Sequence, residues 1–208
     1  MKKVLISCGL ILAFSTFAFG QTGITAKGFG SYGLLLNPEV EESGIAGEEM
    51  TKGGISFGGQ VLYDISDKVA VGAEVAVGVE VGYLAVWKDE FTDPEYGKLV
   101  EASISAIPIL GIIQANFPSA GVTPYVQAGA GIFSYKAKIL LPDWVARILE
   151  EEAVQETTTS EFGVTAGGGI EIPVGPNVNL DLGAKIYMIF AADTVILLNP
   201  GVRVSVKF

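Results

Sequence analysis

Val69-Ala70-Val71-Gly72-Ala73-Glu74-Val75-Ala76-Val77-Gly78-Val79-Glu80-Val81-Gly82-Tyr83 is the stretch whose reading decides the fold. Its odd positions are all apolar, and its even positions are Ala, Gly or Glu. Successive side chains of a strand point to opposite faces, so this is a strand with one greasy face and one small, acidic face. Fifteen residues is long for a soluble strand, which averages five to six, and ample for a tilted strand that crosses a bilayer in about 9–11.

The same alternation recurs outward along the chain. Val178 to Phe190 sets Val178, Leu180, Leu182, Ile186 and Phe190 against Asn179, Asp181, Gly183, Lys185 and Tyr187. From Ile196 to Phe208, Val202, Val204, Val206 and Phe208 oppose Arg203, Ser205 and Lys207. Phe162 to Ile172 alternates against Glu161, Gly163, Gly167, Gly169 and Glu171. Weaker segments cover Ile24 to Leu36, Gly53 to Tyr63, Leu99 to Ala115 and Val122 to Ala137. In Leu99 to Ala115, Glu101, Ser103 and Ser105 read as the inward face. Both faces become apolar from Ile107, and Pro108 is expected at a bulge or a position that does not donate to the ladder.

Eight candidate strands result. Asp64 to Lys68, Asn116 to Gly121 and Pro173 to Asn177 are short turns rich in Gly, Pro, Asp and Asn. Asn37 to Lys52, Leu84 to Lys98 and Lys138 to Thr157 read as long loops, with a short fourth connector at Ala191 to Thr194. Short turns on the side of both termini and longer loops opposite are the phase of an all-β, eight-stranded antiparallel up-and-down transmembrane β-barrel. Lipid cannot satisfy free backbone groups, so a spanning sheet must close on itself.

Composition fits that reading. Half the residues are hydrophobic, charged residues are 17%, Gly numbers 27, and the net charge is -10. Disorder is excluded by the hydrophobicity, and no apolar run after residue 20 is long enough for a spanning helix. Lys2 and Lys3, the apolar run Val4 to Phe19 and the small-x-small site Ala18-Phe19-Gly20 read as a signal peptide over 1–20, leaving 21–208 as the barrel domain. The single cysteine, Cys8, lies in that leader, and there is no histidine. The mature chain therefore has no disulfide and no thiolate metal ligand.

An eight-stranded barrel is just wide enough for side chains to fill. Gly78, Gly82, Gly163, Gly167, Gly169 and Gly183 fall on its inward face. That face also carries a charge network of Lys27, Glu74, Glu80, Glu101, Glu161, Glu171, Asp181, Lys185, Arg203 and Lys207. Buried charges must be paired or hydrated, so the set reads either as an internal plug or as a polar conduit gated by ion pairs. Tyr63, Tyr83, Trp87, Phe117, Tyr125, Phe190 and Phe208 are expected in aromatic girdles at the two interfaces.

The end of the chain, Val202-Arg203-Val204-Ser205-Val206-Lys207-Phe208, resembles the C-terminal assembly signal of outer-membrane barrels, with Val204, Val206 and Phe208 as its alternating hydrophobics. Thr123-Pro124-Tyr125-Val126-Gln127-Ala128-Gly129-Ala130-Gly131 is similar to a strand of small OmpA-like, OmpX-like and OmpW-like barrels. The resemblance implies integral residence in the outer membrane of a Gram-negative-type bacterium, periplasmic termini, outer-membrane lipids as surroundings and insertion by the barrel-assembly machinery. It also implies a cell-envelope role that is structural or based on surface interaction; the alternative is a narrow porin-like channel for small or hydrophobic solutes.

No catalytic, cofactor or metal site is expected. Enzymes among small outer-membrane barrels use histidine for acid–base work, and this chain has none. Most of its 23 acids sit in the long loops. Such a rim repels nucleic acid, which is not expected as a partner, and leaves any surface partner unspecified. Pro142 to Gln155 is expected to form a short amphipathic helix over the barrel mouth or at the headgroups.

Overall fold

The computed structural model describes residues 23–36, 53–65, 73–93, 97–140, 154–191 and 194–208, with the backbone alone for 89–93 and 97–100. Eight strands follow in order: β1 Ile24–Leu35, β2 Gly53–Asp64, β3 Glu74–Asp93, β4 Gly97–Asn116, β5 Thr123–Leu140, β6 Val154–Pro173, β7 Val178–Phe190 and β8 Thr194–Lys207. Each pairs antiparallel with the next, and β8 returns to β1 to close the barrel. The seam runs from Thr25↔Lys207 to Leu35↔Leu197, and the Phe208 amide donates to the Ile24 carbonyl at 2.9 Å. No barrel strand is left with an edge along this seam.

Both ends of the described chain and the β2–β3, β4–β5 and β6–β7 connectors share one end of the barrel, as the alternation of turns predicts. The β4–β5 turn is fixed by Ser119, whose amide and hydroxyl both donate to the Val122 carbonyl, with Gly121 at φ +88° supplying a conformation that favours glycine.

At the opposite end the strands outrun the expected ones. Much of Leu84 to Lys98 and of Lys138 to Thr157, read above as loops, is strand: β3 runs to Asp93, β4 starts at Gly97, β5 runs to Leu140 and β6 starts at Val154. The expected helix over Pro142 to Gln155 lies outside the described residues except for Val154 and Gln155, which open β6. The expected leader over 1–20 and the Val69 to Gly72 start of the deciding stretch also lie outside them; β3 begins at Glu74.

Pro108 sits fully buried inside β4. The β4–β5 register runs unbroken through Pro108↔Phe133, whereas the β3–β4 pairing steps from Val81↔Ile109 to Leu84↔Ala106. The proline thus faces the gap in the ladder, where an absent N–H leaves no strand donor missing. Its position is the non-donating one rather than a bulge; the bulge of β3 comes between Ala85 and Trp87.

The barrel is apolar outside. Ile55, Phe57, Val61, Val79, Ile109, Ile132 and Phe162 each expose about half or more of their surface. Along β4 the outward apolar row runs from Phe117 to Ile107. Ten residues at a rise of about 3.4 Å and a tilt of about 40° give a band about 26 Å tall, the height of a lipid-facing belt. Aromatic pairs mark its far rim: Phe57 stacks on Tyr83 at 5.4 Å and Phe162 on Phe190 at 6.2 Å. Tyr63 and Phe117 are exposed toward the near rim.

Two expected girdle residues go elsewhere. Tyr125 is buried in the lumen, because it shares the inward parity of Gln127 and Phe133 on β5. Trp87 packs against the interior apolar cluster, because the extra residue of the bulge turns the odd positions of β3 inward.

Candidate functional site in the barrel lumen

The inward faces of β1, β3, β6, β7 and β8 bring six of the expected charges into the centre: Lys27, Glu80, Glu171, Asp181, Lys185 and Arg203, all buried. Three acids face three bases, so the group is neutral as a whole.

The half nearer the termini holds the larger cluster. Lys27 Nζ donates to Glu171 Oε1 at 2.6 Å, to Gln114 Oε1 at 3.0 Å and to Asp181 Oδ2 at 3.4 Å. Asp181 Oδ1 accepts from the Tyr125 hydroxyl at 2.8 Å and from Arg203 Nη1 at 3.2 Å. Arg203 Nη1 also donates to the Tyr125 oxygen. Gln114 and Asn179 complete the shell of Glu171 at 3.2 and 3.3 Å. The Lys27 ammonium lies 4.8 Å from the Tyr125 ring centre, adding a cation–π contact in a site with little water.

Deeper along the strands is a second cluster. Glu80 accepts from Lys185 and Gln60, and from the Tyr187 hydroxyl at 2.7 Å. Lys185 lies 5.2 Å from the Phe29 ring centre. Taking two charges out of water is costly, and the cost is recovered only when each lone pair and proton finds a partner. Tyr125, Tyr187, Gln60 and Gln114 supply most of those partners here, while Arg203 Nε, Gln60 Oε1 and Gln127 Nε2 are buried without one.

Glycine makes the room. A Cβ on Gly183 would lie 2.6 Å from the Tyr125 hydroxyl and 3.1 Å from Arg203 Nη1, and one on Gly163 would lie 2.6 Å from the Phe133 ring. One on Gly58 would meet the Phe29 ring at 2.6 Å. The Gly excess therefore accommodates large interior side chains against a bare wall.

Beyond the second cluster the lumen turns apolar. Leu84, Leu110, Phe133, Ile189 and Leu197 are at most 1% exposed and come from β3, β4, β5, β7 and β8. Each lies farther from the termini than the polar residue of its own strand: Glu80, Gln114, Gln127, Lys185 and Asn199. Phe133 meets Tyr187 edge-on at 6.0 Å, tying this layer to the charge cluster below.

The other four expected lumen charges lie at the ends. Glu74 and Lys207 line a recess of about 110 Å³ at the mouth nearest the termini, together with Asp64, Asn116 and Phe208. Glu161 is half-buried on the inward face of the opposite mouth, paired across the ladder with Phe133. Glu101 corrects the reading of β4. Ala106, Leu110, Ile112 and Gln114 are buried inward, so Glu101, of the other parity, is on the outer face. It bonds Lys88 at 3.2 Å. Beyond Ile107 the outer face has left the apolar belt, and polar residues there no longer mark the lumen.

Sequence reasoning passed over Gln60, Gln114 and Gln127, assigned Tyr125 to a girdle, and placed Tyr187 on the inner face without giving it a part in the network. Their signal was parity: Gln114 shares the face of Leu110, and Tyr187 that of Asp181 and Lys185.

A closed eight-stranded wall, apolar outside and charged within, is the arrangement found in the outer membrane protein beta-barrel domain family, whose model matches residues 6–208. The chain belongs to that family. It is an integral outer-membrane barrel. Among solved structures, Neisserial surface protein A is similar with a TM-score of 0.58 and 16% identity, over 91% of this chain and 100% of that one. The Ail protein of Yersinia pestis, in complex with the heparin analogue sucrose octasulfate, gives 0.53 and 13%, over 89% and 97%. A major outer membrane protein of Thermus thermophilus gives 0.51 and 11%, over 88% and 99%. At such identities the likeness is one of fold. No curated protein sequence matches the chain.

Proposed function

We propose that this barrel is a closed, non-enzymatic wall protein whose role is envelope integrity or surface interaction, with its termini in the periplasm. The observation that carries the reading is the apolar layer of Leu84, Leu110, Phe133, Ile189 and Leu197 across the lumen. A polar solute that reached Glu80 and Lys185 would meet five fully buried apolar side chains, broken only by single polar groups such as Ser56 and Asn199. The charges below are held by one another and serve as internal struts.

The protruding ends of β3 to β6 carry the surface role, as the part of the wall that rises past the apolar belt. The short turns beside both ends of the chain support periplasmic termini, and alternating Val204, Val206 and Phe208 support recognition by the barrel-assembly machinery.

Purified protein in a planar bilayer tests the reading against a narrow channel. The closed wall gives no reproducible unitary conductance in potassium chloride. Steady unitary steps, or flux of a small solute from loaded vesicles, overturn it in favour of transport.

A further inference from the structure

On the side of the apolar layer away from the termini, a second ring of partly buried side chains packs against it: Leu35, Trp87, Ile104, Tyr135 and Val195. Two polar atoms of this ring, Trp87 Nε1 and the Tyr135 hydroxyl, are buried without a hydrogen-bond partner. Glu161 belongs to the same mouth. It stands opposite Phe133 and so diagonal to Tyr135, a separation of about 7–8 Å that an aromatic and a long side chain bridge.

The tilt of the strands brings Trp87 to their level. Glu80 bonds Tyr187, although its own ladder row leads through Leu110, Gly131 and Gly163 to Ile189. Rows therefore climb away from the termini on going from β3 to β7. The row of Trp87 leads through Ile104 and Ala137 to Thr157, so its level neighbours lie nearer the termini on β5 and β6, at Tyr135 and between Thr159 and Glu161.

Glu80, Glu171 and Asp181 each have a lysine or arginine partner. Glu161 has neither an ion pair nor a hydrogen bond among the described residues. Lys88, Lys136 and Lys138 stand on the outer face, in register with Ser103, Ser105 and Ser103 respectively. Glu161 is thus the one charged side chain described on the inner face of this mouth.

We propose that this mouth is a blind cup that binds a small organic ammonium carrying a hydroxyl or carbonyl oxygen, held by Glu161, Tyr135 and Trp87. The proposal rests on the closed-wall reading, because the layer that seals the lumen is the floor of the cup. An unpaired, half-buried carboxylate calls for a cation, and the flanking aromatic rings favour one over their faces. A buried donor without an acceptor costs free energy, which an oxygen on the ligand relieves at Tyr135 or Trp87. The apolar body of the ligand lies over Leu84 and Phe133. An anion is turned away by Glu161.

The test is calorimetric titration of the folded full chain in detergent with phenylethanolamine, its neutral counterpart phenylethylene glycol and its anionic counterpart mandelate, three probes that share ring and hydroxyl. A heat-dependent gel shift verifies folding of every variant. Phenylethanolamine is expected to bind saturably, the neutral probe about tenfold more weakly and mandelate not at all. E161Q is expected to weaken phenylethanolamine about tenfold and Y135F about threefold, whereas E74Q at the other mouth keeps the parental affinity. No saturable binding, equal binding of mandelate, or parental affinity in E161Q each overturns the proposal. Entry of phenylethanolamine into vesicles that carry the protein separates the two readings: entry with E161Q-sensitive binding contradicts the closed floor and upholds the Glu161 site, and no entry with no binding contradicts the site alone.

Discussion

The Tyr125 hydroxyl donates to Asp181 Oδ1 at 2.8 Å, and it does so in the space left by the missing side chain of Gly183. A large residue on one strand and a bare position two strands away are thus a single packing unit, with Arg203 as its third member. Gly183→Ala sets a Cβ against Tyr125, Arg203 and the Gly168 carbonyl, and is expected to destabilise the barrel by about 1–3 kcal/mol. Urea titration of the refolded protein in lipid vesicles measures this. Gly28→Ala, where a Cβ meets nothing within 4 Å, is the control and is expected to change little.

Removing one member of a buried pair leaves the other charge unanswered. Glu80→Gln strips Lys185 of its counter-ion at a site from which water is excluded, and is expected to cost about 3–5 kcal/mol. Glu80→Gln with Lys185→Met removes both charges and is expected to recover much of that loss. A double-mutant cycle on urea midpoints reads the coupling; additive losses contradict the strut reading.

The belt makes a depth-dependent prediction. Val79, exposed on the outer face, pairs with Gly111 near the middle of the Phe117-to-Ile107 row. Val79→Arg there is expected to cost about 2–4 kcal/mol, and Ser103→Arg, above the belt, about 0–1 kcal/mol.

Inward placement of Trp87 is open to fluorescence. With Trp144→Phe introduced, Trp87 is the one remaining tryptophan. Its emission is expected to resist quenching by brominated lipid tails, whereas Phe57→Trp in a background carrying Trp87→Phe and Trp144→Phe is quenched strongly. Efficient quenching of Trp87 contradicts its position in the interior cluster.

Assembly and stability separate at the C-terminus. The Phe208 backbone already bonds Ile24, so Phe208→Ala leaves that seam contact in place. Refolding into vesicles is expected to proceed, while the amount inserted in the outer membrane of living cells falls. Unchanged cellular insertion contradicts recognition through Phe208.

How far the sequence was legible depended on which solvent each face meets. Inside the belt the two faces differ in kind, lipid against lumen, so Glu80, Asp181, Lys185 and Arg203 identified the inner face by parity alone. Above Ile107 the outer face leaves the apolar belt and carries polar residues, and the same rule misassigned Glu101, Ser103 and Ser105. The strand extensions of β3 to β6 were hidden for the same reason: once the outer face turns polar, a strand has much of the composition of a loop. Trp87 was lost to a bulge, which shifts parity without a mark in composition. Individual ion pairs depend on the stagger between strands, which alternation within one strand does not contain.

Because the sequence holds one cysteine, Cys8, single cysteines introduced into a Cys8→Ser chain report lumen access without background. Ala106→Cys, which adds one sulfur atom at a position 1% exposed within the apolar layer, is expected to resist a water-soluble maleimide in the folded barrel. Glu74→Cys at one mouth and Glu161→Cys at the other are expected to react readily. Labelling of Ala106→Cys at the rate of the two mouths, with folding verified by gel shift, contradicts a sealed lumen.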